Sequence, residues 1–359
     1  VLADYVIGLG HLGVDPSSSP WTSKEVIEHT SGFDAFIDGH SHTKMECEWV
    51  KDLSGKAVAL TQTGSYFANV GEMTIKTDGS IATRLISSYE GSDSAVADIQ
   101  NAWVASVDDM LGEKIAVADT NFYISDPETG KRRIRMAETN LGDFVADGIY
   151  SYFNEVEQLH CDIAIMNGGG IRADEKAGYW TFKTCKQVSP FGNVACLMSV
   201  TGKQIQDALE FAARFAGAEG KENGGFLQVA GATYEIHTDI PNTVQTDEKN
   251  VWIGSATGTP RVQNVKIYDK ASGSYLPLDP GATYALAGMN YTLRNLGDGF
   301  AMFDGAELIK DYVSEDYLVM STYAMTFGGV DAEGLPHLTT ANSPLADYPG
   351  YLLNYEDPY

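Results

Sequence analysis

Residues 138–153 read ETNLGDFVADGIYSYF, and seven residues further on residues 161–170 read CDIAIMNGGG. The first stretch places Leu141, Phe144, Val145, Gly148, Ile149, Tyr152 and Phe153 at i, i+3, i+4, i+7 and i+8 spacing, the apolar face of a helix. The second is a short apolar run that stops at Gly168-Gly169-Gly170, which predicts a buried strand ended by a turn. Working outward, TGKQIQDALEFAARFA predicts a second helix, with Thr201 and Gln204 at capping-box spacing. GATYEIHT, VQNVKIYD and TYALAGMN read as further strands, and DYVSEDYLVMSTYAM as a last helix. The Pro- and Tyr-rich end, residues 342–359, reads as an irregular tail.

Upstream, ADYVIGLG, DAFIDGH, AVALTQTG and NVGEMTIKTDG are short β-rich runs, with SKEVIEHT as a helix between the first two. The Asp78-Gly79 pair predicts a hairpin. Residues 94–112 have apolar residues at helical spacing and few turn formers, the pattern of a helix linking two domains. The expected fold class is α/β mixed with α+β. The expected divisions are a first domain over 1–93, a linker helix and connection over 94–132, a second domain over 133–341, and the tail over 342–359.

Composition narrows the function classes. The chain has 359 residues, 43% hydrophobic and 20% charged, so a folded globular protein of about two domains is expected. With 24 Lys and Arg against 49 Asp and Glu, the net charge is −25. Such a surface repels phosphate backbones at long range, which argues against DNA or RNA as a partner. No run approaches the roughly 20 apolar residues of a membrane helix. Val1 starts without a charged leader or cleavage site, inside what reads as a folded segment, so the sequence reads as the back part of a longer protein. The four cysteines have no C-x-x-C spacing and read as buried thiols, with a Cys185–Cys196 bridge as the alternative.

Three histidines share one setting. His11, His40 and His42 each follow a predicted strand in a glycine-flanked loop. In His-x-His on an extended chain both side chains point to the same side, so both can reach one metal. His29, His160, His237 and His337 lack such settings and read as surface or structural residues.

The segments GHLGVD, DGHSHT and QTGSYFANVGEM resemble the last third of a calcineurin-like metallophosphoesterase domain with a β-sandwich core. ETNLGDFVAD, IAIMNGGGIRA, VSPFGN, TGKQIQDALE, GGFLQVAG and LGDGF then resemble, in order, the C-terminal domain of the bacterial 5′-nucleotidase family. That family also includes UDP-sugar hydrolases and 2′,3′-cyclic-nucleotide phosphodiesterases. The resemblance implies hydrolysis of a phosphate ester by two divalent ions, zinc, manganese, cobalt or similar, with His11, His40 and His42 as ligands. It implies a nucleotide or nucleoside as the partner, and an extracellular, periplasmic or cell-wall-attached protein. The family's opening Asp-x-His, bridging Asp and Gly-Asn-His are not among these residues. An incomplete metal site, an inactive fragment and a thinly packed first domain are therefore expected. A non-catalytic cell-surface module that binds a small ligand is the alternative.

In the second domain, glycines before Arg172 let backbone N–H groups approach a ligand, and arginine offers a planar fork of donors. The resemblance assigns Arg172 to substrate contact, Phe226 to base stacking, Gln228 to the base edge and Asp298 to the ribose hydroxyls. Asn193 is expected beside the cleft, more as a loop-shaping residue than as a contact. Thr292 stands where the family carries a second aromatic ring. Either Tyr291 replaces that ring through a local shift, or the base is held on one face only. The family's two domains swing about the segment matched by the linker helix.

Overall fold

The computed structural model describes residues 3–15, 18–218 and 221–358. The chain divides into two compact units, Val1–Ile99 and Gln100–Tyr359.

Unit 1 contains β1 (Ile7–Leu9), α1 (Ser23–Glu28), β2 (Ala35–Ile37), β3 (Lys44–Lys51), β4 (Ala57–Thr63), β5 (Val70–Ile75) and β6 (Ile81–Ile86). Four strands form a sheet in the order β1-β2-β4-β3, parallel except for the β3–β4 pair. β5 and β6 form the expected hairpin, with Gly79 at φ 81° in its turn. Thr22 caps α1 in a reciprocal box with Glu25. β3 escapes sequence reading because only Val50 in it is buried, so it carries no alternating apolar signal. The core is small: Ile27, Phe36, Val50, Val58 and Leu60. Leu9, Trp49 and Phe67 remain exposed, at 83%, 56% and 97%.

α2 (Ser94–Leu111) follows, with no buried residue. Unit 2 then carries β7 (Lys114–Ala118), α3 (Asn140–Ser151), β8 (Ile163–Asn167), β9 (Gly178–Thr181), α4 (Phe182–Val188), β10 (Ala195–Thr201) and α5 (Gly202–Ala212). After them come β11 (Leu227–Ala230), β12 (Ala232–Ile236), β13 (Gln245–Thr246), β14 (Trp252–Gly254), β15 (Val262–Asp269), β16 (Ser274–Pro277) and β17 (Thr283–Met289). α6 (Asn290–Leu293), β18 (Glu307–Lys310), α7 (Asp316–Met325) and β19 (His337–Leu338) complete it.

The central sheet of unit 2 runs β11-β8-β17-β10-β18, with β8–β17 parallel and the other pairs antiparallel. Its strands alternate between two apolar clusters. Ala164 and Met166 of β8 belong to the α3 side, and Ile163 and Ile165 to the α5 side. Ala195 and Leu197 of β10 alternate with Cys196, Met198 and Val200 in the same way. A strand covered on both faces has no polar alternation, which is why CDIAIMN reads as one apolar run. Thr201 caps α5 through Gln204, as its sequence predicts.

One expectation changes and two hold with a qualification. Residues 114–132 are not connection alone: β7 pairs with β9 and β19, and Phe122 is fully buried in the α3-side cluster. The tail has irregular backbone with short 3-10 turns, yet Leu345, Tyr348 and Tyr355 belong to that same cluster. Cys161, Cys185 and Cys196 are buried free thiols, whereas Cys47 is exposed, and no Cys185–Cys196 bridge forms.

α3 is buried on nearly every side, not on one face, because sheet, α7 and tail all pack on it. Gly142 permits this. A Cβ there would lie 2.1 Å from Oε1 of Gln228, whose amide is already held by hydrogen bonds to backbone. Gly142→Ala is expected to destabilise unit 2 by about 1–3 kcal/mol through overpacking. A urea unfolding midpoint equal to that of wild type would contradict this.

Candidate functional site

β8 ends at Asn167, and the chain turns through Gly168–Gly170 toward the segment before β11. Gly168 N–H donates to Phe226 O and Gly169 N–H to Gly224 O, both at 2.7 Å. Glycine is required at 168, since a Cβ would sit 2.3 Å from Ile134 O. Asn167, buried, donates from Nδ2 to Asp298 Oδ2 at 3.1 Å. Asp298 lies in a tight turn with Leu296 at φ 56° and Asp298 itself at φ 54°. Its other oxygen accepts from the Tyr291 hydroxyl at 3.0 Å.

Tyr291 is the second residue of α6. It is 36% exposed, while Thr292 and Leu293 turn inward at 2% and 0%. The Thr292 hydroxyl is buried without a hydrogen-bond partner among the described residues. Of the two residues, Tyr291 is the more exposed and Thr292 is part of the interior. The start of α6 is tied to the PFGN loop, because Asn290 N–H donates to Val194 O and Val194 N–H to Asn290 Oδ1. In that loop Asn193 N–H donates to Asp316 Oδ2 and Asp316 N–H donates to Asn193 O, which makes Asn193 an anchor for the loop. Phe191, also in the loop, has its ring 59% exposed, and the Arg172 guanidinium lies 5.7 Å from the ring centre. Arg172 also donates to Gly169 O at 3.3 Å. One continuous set of contacts therefore links Phe191, Arg172, the glycine turn, Asn167, Asp298 and Tyr291.

Two expected contacts fall outside this set. Phe226 is 3% exposed and sits in the α5-side apolar cluster, so its ring offers no free face to a ligand. Gln228 is 1% exposed. Its amide donates to Ile134 O and Ala137 O and accepts from Thr139 N–H, all on the segment leading into α3. The family resemblance assigns both to ligand contact, whereas in this structure both side chains are buried. The ring the sequence did offer was Phe191, an aromatic between Pro190 and Gly192 in a loop with no apolar period.

Electrostatics distinguish the site. Burial pushes the Asp298 carboxyl up, opposed by the hydrogen bonds from Tyr291 and Asn167 and by the charges of Arg214 and Arg135. Burial lowers Arg135 to about 10, with the Arg132 and Arg172 charges adding to the effect, and its Nε lacks a partner among the described residues. Burial also lowers Arg214 to about 10, where it lies over the Phe211 ring at 3.9 Å. A partly buried carboxylate facing guanidinium groups, with the exposed Tyr291 ring beside it and Phe191 next to Arg172, can accept from hydroxyls, attract an anion and stack on a flat ring.

In unit 1, His11 and His40 follow β1 and β2, with ring centres 5.2 Å apart. Gly39 allows this approach, since a Cβ there would be 3.0 Å from His11 Nδ1. Buried Asp38 holds both loops by accepting from Leu12 N–H, Gly13 N–H and Gln62 Nε2. His42 instead has its ring 6.3 Å from that of Tyr66. Among the described residues, no three His, Cys, Asp or Glu side chains converge in a metal-binding group. Two imidazoles without a carboxylate do not by themselves fit a two-ion centre.

Residues 114–305 match the family described as 5′-nucleotidase, C-terminal domain, and the chain belongs to it. Over 333 residues it is 28% identical to the trifunctional nucleotide phosphoesterase protein YfkN of Bacillus subtilis, covering 90% of this chain and 20% of that protein. It is 26% identical to human 5′-nucleotidase, covering 89% and 55%. A 5′-nucleotidase precursor from Thermus thermophilus superposes with TM-score 0.64 at 24% identity, covering 88% of this chain and 61% of that one. The Staphylococcus aureus putative 5′-nucleotidase, solved with alpha-ketoglutarate, superposes at 0.60 with 18% identity, covering 98% and 64%. The chain thus spans from 20% to 58% of the length of the first curated relatives it matches. Among the described residues, no helix is long and apolar enough to cross a membrane.

Because the Tyr291 hydrogen bond lowers the Asp298 pKa, Tyr291→Phe is expected to raise it further. A carbon-detected NMR titration of the Asp298 carboxyl checks this, and an unchanged or lower value contradicts the assigned bond.

Proposed function

We propose that this chain is the nucleoside-recognising part of a metal-dependent phosphoesterase acting on nucleotides. The base lies between the rings of Phe191 and Tyr291, Asp298 accepts from the ribose hydroxyls, and Arg172 and Arg135 supply positive charge for the phosphate. The observation that carries this reading is the unbroken set of contacts from Phe191 through Arg172 and Asn167 to Asp298 and Tyr291. Membership in the 5′-nucleotidase family supports the substrate class. Within it the substrate is a 5′-nucleotide, a UDP-sugar or a 2′,3′-cyclic nucleotide. His11 and His40 contribute imidazoles to a divalent-metal centre whose remaining ligands lie outside this chain, so the chain alone does not hydrolyse its ligand. The exposed Leu9, Trp49 and Phe67 of unit 1 support completion by further polypeptide. By its relatives, the intact protein works outside the cytoplasm, exported or attached to the cell wall.

Adenosine, AMP, UMP or UDP-glucose is expected to raise the melting temperature of this chain by mass action. Stacking on one ring is worth about 1–3 kcal/mol per base, so Phe191→Ala and Tyr291→Ala should each weaken binding about tenfold or more. If both variants bind as tightly as wild type, the stacking assignment is wrong. Incubated with AMP and manganese or zinc, the chain is expected to release no phosphate. Release above a metal-free control would overturn the proposed division of labour. The meeting of only two imidazoles also favours a second reading, a binding module without catalysis. That reading holds if a longer polypeptide carrying this chain binds nucleosides but releases no phosphate with any divalent metal.

A further inference from the structure

Strand β8 has two ends. Asn167, bonded to Asp298, marks one, and Asp162, just before Ile163, marks the other. Five strand residues at about 3.3 Å each put the two ends roughly 16 Å apart. At the Asp162 end lies a cavity of about 500 Å³, walled by the turn into β8, by Tyr150 near the end of α3 and by β15 and β16. That volume falls in the range of small-molecule sites, about 300–1,000 Å³. None of the residues assigned above to nucleoside recognition lines it.

The wall contains an unmet polar group. Tyr150 is 2% exposed and lines the cavity, and its hydroxyl has no hydrogen-bond partner among the described residues. Burial pushes this phenol up, and the Asp162 charge acts in the same direction, so the oxygen keeps its proton and its lone pairs. The polar groups beside it are engaged. Asn154 Nδ2 donates to Tyr150 O and Cys161 O, Asn154 Oδ1 accepts from Cys161 N–H, and the Cys161 thiol donates to Ile163 O. A buried oxygen left over in such a wall calls for a partner from the cavity.

Charge around the cavity is negative. Asp162 Oδ2 accepts from Ala285 N–H at 2.8 Å and Oδ1 is bonded to His160 Nε2 at 2.8 Å. About two of the roughly four lone-pair sites of that carboxylate stay open. Asp269 is the second carboxylate of the wall, held by Ala271 N–H and Ser272 N–H. Lys270 lies in the wall too, but it is paired with Glu155 at 3.0 Å and does not offset Asp162 and Asp269. Leu276, 47% exposed, and Pro277 give the cavity an apolar side.

We propose that this cavity is a second ligand site, built for a small organic ammonium with an apolar body. The ammonium donates to the open lone pairs of Asp162 and to the Tyr150 oxygen, and the body lies against Leu276 and Pro277. The head group decides affinity. An ammonium brings several donors and the opposite charge, a hydroxyl brings a single donor and no charge, and a carboxylate meets charge of its own sign.

2-Phenylethylamine, 2-phenylethanol and phenylacetate share one apolar body and differ in that head group. Each is titrated at neutral pH into the isotopically labelled chain and followed by its backbone amide NMR signals. The amine is expected to shift the signals of Cys161, Asp162 and Ile267 saturably, the alcohol to bind about tenfold more weakly or worse, and phenylacetate to give no saturable shift. Asp162→Asn should weaken the amine about tenfold or more and abolish its advantage over the alcohol, and Tyr150→Phe should weaken it about three- to tenfold. No saturable shift with the amine, shifts centred on Asn167 and Asp298 instead, an alcohol or carboxylate that binds as tightly, or unchanged affinity in Asp162→Asn each overturns the proposal. Should Asp162→Asn fail to fold, Tyr150→Phe decides together with the ranking of the three probes on wild type, and an unweakened amine in Tyr150→Phe overturns the site.

Discussion

Everything in unit 2 depends on β8 being sealed on both faces and then ending without a side chain. Ile163 and Ile165 pack on the α5 side and Ala164 and Met166 on the α3 side, so the strand cannot slip by one residue without exchanging the two sets. At its end the backbone runs so close to Ile134 O that residue 168 has no room for a Cβ. The turn that follows places Asn167 against Asp298 and lets Arg172 reach back to Gly169. The site is thus a consequence of where a buried strand has to stop.

Buried polar groups near that strand follow one rule with two outcomes. Gln228 and Asn167 are both amides with little exposure, on neighbouring strands of the same sheet. Gln228 spends its capacity on the backbone before α3 and so becomes structural. Asn167 spends one N–H on Asp298 and leaves Oδ1 without a partner among the described residues. An unmet acceptor in a protein interior is costly unless something satisfies it. Residue type alone could not separate the two amides; their partners do.

The same distinction sets how much was legible in the sequence. α3, β8, the capping box of α5 and the Asp78-Gly79 hairpin rest on contacts between residues close in the chain, and each was readable from spacing. β3 was missed because its side chains are mostly exposed and carry no period. The tail was read only as irregular because its tyrosines reach the core through partners such as Asp147, 204 residues away from Tyr351. At the candidate site, Arg172 and Asp298 were singled out through the resemblance, and the structure joins them through Gly169 and Asn167. Read from its neighbours alone, Phe226 is a core residue, as its burial here agrees; its ligand role came only from the resemblance. Tyr291 and Thr292 could be ordered only by the twist of α6, a backbone property that one residue of offset reverses.

Charge adds a constraint that neither the fold nor the motifs express. The chain as a whole carries −25, yet Arg135 and Arg214 face one partly buried carboxylate, with Arg172 close to Arg135. At physiological ionic strength the repulsive field of the surface decays over about 8 Å, whereas guanidinium groups in a half-buried site are screened far less. A long polyanion would have to lie across the acidic surface and meet its repulsion along its whole length. A small anion with a flat ring meets the field only on approach, and then comes under the arginines where water no longer screens them. On the proposed function, the acidic exterior and the arginines of the site would act together, favouring a ligand by its size as much as by its charge.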